Sequence, residues 1–127
     1  MSFINNTSYL DVTTCDEVVT ASSNQVNFEV VELTIVKTTS CPWTVTGGTI
    51  TYCTTITNPS LDMDLLGAVF SDVLDNRLSY VVDSFTLNGT PETPTINGQR
   101  IEFTLDILAD SVTTICFQVL VGPAATP

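Results

Sequence analysis

The sequence predicts an all-β fold, a sandwich of short antiparallel strands led by a strand-like N-terminal arm, and three observations carry that prediction. Hydrophobic residues make up 43% of the 127 residues. Val, Ile and Thr are abundant, and branching at Cβ favours the extended chain over the helix. From Phe28 onward apolar residues recur with a two-residue period. Turn signals separate these runs at short, regular intervals, as in a sandwich. The length suits one domain with its own core and is too short for two ordinary ones.

The elements follow in chain order. Residues 1–26 read as an arm and linker, with Ile4, Leu10 and Val12 on one side of an extended segment. Asn6 and Ser8 lie between them, while Asn5, Thr7, Tyr9 and Asp11 face the other way. Residues 27–122 read as the sandwich. Phe28 to Lys37 forms its first strand, ended by Ser40-Cys41-Pro42. Gly47-Gly48 turns the chain into Thr49–Thr57, where Ile50, Tyr52, Thr54 and Ile56 share the inner face. Asn58-Pro59-Ser60 ends that strand, since proline cannot donate to a ladder. Further strands cover Leu65–Asp72, Leu78–Leu87, Arg100–Leu105 and Ser111–Val121, with Asn88-Gly89 and Asn97-Gly98 as turns. Residues 123–127 form a tail.

Charge excludes several functions. Fourteen acidic residues stand against three basic ones, Lys37, Arg77 and Arg100, for a net charge of −11. Nucleic acid needs clustered Lys and Arg, and an anionic membrane surface repels this chain. No apolar run approaches the roughly 20 residues of a membrane helix. The first residues lack the basic start and apolar core of a secretory signal, so the export route stays open. With no histidine, Ser-His-Asp and Cys-His catalysis are absent. The turn carboxylates form no acid–base pair and Gly47-Gly48 lacks the helix and lysine of a phosphate loop. We therefore expect no enzyme activity, no catalytic residue, no metal and no cofactor. Asp62 and Asp64 are a sparse calcium signal.

Cys15, Cys41, Cys53 and Cys116 show no C-x-x-C spacing, which favours disulfides over zinc. Cys53 and Cys116 fall on outward faces of strands assigned to opposite sheets, so they are not expected to pair within one domain. A Cys41–Cys53 bond closing a short hairpin loop is the plain alternative, and Cys15 follows the arm. All four are candidates for bonds between subunits.

Three segments resemble the bacterial surface conserved-repeat domain, the domain-of-unknown-function eleven family. They are Leu33-Thr-Ile-Val-Lys-Thr38, Gly48-Thr-Ile-Thr-Tyr-Cys-Thr-Thr-Ile-Thr-Asn58, and Val69-Phe-Ser-Asp-Val-Leu-Asp-Asn-Arg-Leu-Ser-Tyr-Val81. The resemblance runs from about Val30 to Val121. It implies an immunoglobulin-like sandwich, a cell-surface or extracellular setting and no catalysis. The family continues past the strand matching Ser111–Val121 into one further strand. Here Ile4–Thr13, at the front, is similar to that strand.

The expectation that follows is a structural subunit of an extracellular or spore-surface filament. Residues 1–14 of one copy complete the next copy head to tail, and a disulfide locks the joint. The partner is then the chain itself, with a cell-surface or spore-coat anchor. The plan is similar in layout to endospore appendage subunits. The competing arrangement folds residues 1–14 onto their own domain. The competing function is a monomeric adhesin recognising a glycan or protein through Trp43, a residue that otherwise caps the core. An isopeptide bond from Lys37 to an asparagine is a further alternative.

Overall fold

A computed structural model describes residues 2–13 and 15–122, with the backbone alone at Ser2, Val12, Val26 and Phe28. Among these residues there is no helix; every element is a strand in an antiparallel ladder. The chain divides into two compact units between Val31 and Glu32.

The first unit is a two-stranded ribbon. Strands β1 (Ser2–Asn6) and β2 (Tyr9–Thr13) lead outward, and β3 (Val18–Ser22) and β4 (Val26–Val30) return. Ile4 stands opposite Phe28, Leu10 opposite Ala21 and Val12 opposite Val19. Between the two ladders, Thr7 and Ser8 face Ser23, Asn24 and Gln25, so the return strand carries one extra residue, a bulge. The Ser8 carbonyl accepts from the Ser23 N–H at 2.8 Å, and the Ser8 N–H donates to Ser23 Oγ at 2.8 Å. The bulge switches the parity of the return strand. Even positions 28 and 30 and odd positions 19 and 21 therefore all oppose even positions of the outgoing strand. Ile4 and Leu10 thus share a side of the ribbon with Val19, Ala21 and Val30.

This arrangement departs from the sequence reading in two ways. Residues 18–30 pair back onto the arm instead of serving as linker and first body strand. The expected strand Phe28–Lys37 is split, because Val26–Val30 is taken up by Ser2–Asn6 and the body's first strand begins at Thr34. The two units divide between residues 31 and 32.

The second unit contains β5 (Thr34–Thr39), β6 (Thr49–Asn58), β7 (Leu65–Val73), β8 (Leu78–Tyr80), β9 (Thr86–Leu87), β10 (Thr90–Pro91), β11 (Thr95–Asn97), β12 (Arg100–Ile107) and β13 (Ser111–Val121). One sheet runs β10-β9-β13-β6-β5, with β8 also on β13; the other runs β11-β12-β7. Both contribute to one core. Ile56, Ile115, Phe117 and Val119 come from the first sheet and Ile101, Leu105 and Ile107 from the second. Phe85, fully buried, has ring centroids of Phe103, Phe70 and Phe117 at 5.0, 6.3 and 6.3 Å.

The single strand expected over Leu78–Leu87 is interrupted. Val81 to Phe85 detours, with Asp83 at φ 65°, and Ser84 Oγ donates to the Val81 carbonyl at 2.6 Å while accepting from the Gln118 N–H at 2.9 Å. The detour delivers Phe85 to the core. Asn88 and Gly89, both at positive φ (50° and 83°), make the two-residue turn between β9 and β10, a geometry open to Asn and Gly.

Candidate functional site

The side chains that could carry function lie where the core is left uncovered. β5 and β7 are end strands of their sheets, β5 pairing only with β6 and β7 only with β12 among the described residues. Between them runs a cleft of about 530 Å³ floored by Ile56, Phe70, Leu105 and Ile107, with Leu33 and Ile35 on its β5 rim. On an edge strand closed by a neighbour, Ile35 would be buried. It is 63% exposed. The β7 rim also presents Val69 and Val73, 61% and 66% exposed.

The polarity of the cleft is fixed by hydrogen bonds at its ends. Asn58, 1% exposed, sits beside the start of β5, since Thr34 pairs with Thr57. Its amide donates to the carbonyls of Met63 at 2.9 Å and Leu108 at 3.2 Å, which flank the Leu65–Ile107 pair. At the far end Lys37 Nζ meets Asp72 Oδ2 at 2.5 Å and lies 4.4 Å from the centre of the Tyr52 ring. β5 and β7 therefore run in the same direction along the two rims. Cys41 follows β5 at the Val73 end.

The cysteines sort differently from the sequence expectation. Cys53 and Cys116 are disulfide-bonded, with Cα atoms 4.1 Å apart. Both face outward, but β6 and β13 are neighbours in one sheet and the two residues stand directly opposite in register, which overturns their expected placement on different sheets. Neither is then free to bridge subunits. Cys15 and Cys41 are exposed free thiols. Cys15 belongs to the ribbon tip and Cys41 to the body, so the Cys41–Cys53 alternative is also replaced.

Of the donor residues, Ile4 and Leu10 are 48% and 64% exposed on the ribbon; Val12 takes its place in β2, its side chain lying outside the description. Asp64 Oδ1 accepts from the Ala109 N–H at 2.8 Å. No group of three or more metal-ligating side chains occurs among the described residues. Trp43 does not cap the core: it is 75% exposed. It follows Pro42, which with Tyr52, Leu78 and Arg77 lines a second cavity of about 620 Å³. Arg77 there is held by Asp75. Its side-chain hydrogen bonds lower the Asp75 carboxyl below the usual range and raise the guanidinium.

Sequence reasoning missed the Lys37–Asp72 pair and the cleft behind it. Nothing local to either residue signals the other, 35 positions apart.

No protein-family model, curated protein or solved structure matches the chain.

Proposed function

We propose that this protein is a structural subunit of an extracellular or spore-surface filament, polymerising head to tail by donating its N-terminal strand to the β5–β7 cleft of the next copy. One observation carries the reading: an apolar cleft with a strand edge unpaired among the described residues occurs in the same chain as a two-stranded ribbon that exposes apolar residues, Ile4 and Leu10 among them. Either feature alone is costly. An open edge invites pairing, and an isolated two-stranded hairpin is marginal in water. Strand addition removes both defects.

Burying Ile4, Leu10 and Val12 contributes roughly 5–8 kcal/mol at about 1.5–3 each. The ribbon is already paired along its inner edge, so less ordering entropy opposes docking than for a free arm. In this reading the body is an immunoglobulin-like sandwich akin to the bacterial conserved-repeat domain. The Cys53–Cys116 bond fits an oxidising setting. Cys15 and Cys41 remain to lock subunits covalently.

The test is size-exclusion chromatography with electron microscopy of the full chain and of a chain lacking residues 1–31, under oxidising and reducing conditions. Fibres or large oligomers are expected from the full chain only. A full chain that stays monomeric under both conditions overturns the proposal.

A second reading, a surface adhesin, draws support from the exposure of Trp43 beside the 620 Å³ cavity. Trp43 is the only tryptophan, so its fluorescence reports ligand directly. Glycan or protein titrations that leave its emission unmoved remove this reading.

A further inference from the structure

We infer that the ribbon of a second copy enters the cleft from its Val73 end and pairs through the 2–13 strand, antiparallel to β7, which carries the ribbon tip with Cys15 to the Leu65 end. The inference rests on the strand-donation reading above and adds its edge and its direction.

The ribbon has two edges, and the structure distinguishes them. The return strand carries the bulge at 23–25, which interrupts the regular spacing of its outward-facing donors and acceptors. The 2–13 strand has no inserted residue. It is therefore the edge able to continue a ladder along the nine residues of β7. Exposed apolar residues lie on both sides of this strand, Ile4 and Leu10 on the even one and Phe3 and Tyr9 on the odd one, and the even side is the one set over Phe70 and Leu105 in the cleft floor.

Direction follows from the ladder type. Every pairing in both units is antiparallel. β7 runs from Leu65 to Val73, so an antiparallel 2–13 strand runs from the Val73 end to the Leu65 end. The tip, with Cys15, then lies beside Leu65.

Cys15 is a native reporter of this geometry. The two ends of the cleft are far enough apart to resolve, since Thr34 to Cys41 alone spans roughly 23 Å at about 3.3 Å per residue. The full chain carrying Cys41→Ser is labelled at Cys15 with a benzophenone maleimide. It is mixed in equal parts ¹⁴N- and ¹⁵N-labelled, assembled, irradiated, and mapped by mass spectrometry. The expected result is mixed-isotope crosslinks concentrated on residues 61–66, where Met63 is a good acceptor, with few on residues 42–46 or 73–77. Mixed-isotope crosslinks concentrated on 42–46 or 73–77 overturn the direction and leave strand donation standing. Crosslinks confined to single-isotope pairs, or their absence, overturn strand donation itself. A second variant, Asn5→Pro, removes one outward-facing N–H from the 2–13 strand, because the N–H and carbonyl of Ser8 face the return strand and direction alternates along the strand. Asparagine-to-proline at residue 24, in the bulge, removes one from the return strand. Loss of assembly in the first and its retention in the second is expected; the reverse pattern overturns the assignment of the edge.

Discussion

Removing the Cys53–Cys116 bridge is the sharpest test of the body's topology. The two cysteines are 63 residues apart. In the chain-entropy treatment, a loop of that length stabilises by about 4 kcal/mol at 25 °C. For a domain of this size each kcal/mol moves the melting temperature by about 4–8 °C, so Cys53→Ala with Cys116→Ala should lower Tm by roughly 20 °C. Both proteins should carry Cys15→Ser and Cys41→Ser, so that bonds between chains do not enter. Differential scanning calorimetry gives the shift. Alkylation in denaturant before and after reduction counts the thiols independently: in the oxidised protein carrying Cys15→Ser and Cys41→Ser none should react before reduction and two after it, since Cys53 and Cys116 are bonded. Two reactive thiols before reduction, or a melting point moved by only a degree or two, would refute the bridge between β6 and β13.

Other expectations concern the core and the joint. Phe85→Ala empties a site that is 0% exposed and ringed by three phenylalanines, and should cost about 3–5 kcal/mol in urea unfolding. Asn58→Ala leaves the Met63 and Leu108 carbonyls and the Ser60 N–H without their side-chain partner. A loss of about 2–3 kcal/mol is expected by the same assay. Leu10→Asp places a charge on the side of the ribbon that carries Ile4 and Leu10 and, under the strand-donation proposal, should abolish assembly while leaving the body's Tm unchanged, as read by light scattering and calorimetry on one sample.

How far the sequence disclosed this arrangement depends on the range of each interaction. The inner faces of β6 and β13 are visible as a two-residue period. Ile56, Ile115, Phe117 and Val119 are buried as that period requires. The outward placement of both cysteines follows from the same alternation. Alternation says nothing about which strands are neighbours, however, and Cys53 and Cys116 were for that reason placed on different sheets. The ribbon shows the same limit. Val26, Phe28 and Val30 alternate whether they continue into Thr34 or pair with Ser2–Asn6, and only the ladder decides. Trp43 was expected to cap the core because large aromatics beside strand ends commonly do, but Ser40 to Gly48 forms a loop that leaves the ring 75% exposed. The cleft between β5 and β7 depends on two edges meeting across the fold, and no single segment encodes it.

The bridge between β6 and β13 also sets how the subunit responds to tension. Pulled apart by its two ends, the body is loaded at the start of β5 and at the end of β13. Force passing between those points crosses from Cys53 to Cys116 through sulfur, so residues 54–115 are bypassed and cannot be drawn out. Only residues 32–53 and 116–121, about 28 residues, can lengthen, yielding at most roughly 100 Å at about 3.5 Å per residue. Single-molecule pulling between the chain's ends should show a short, bounded extension of the body that grows about threefold once the bridge is reduced.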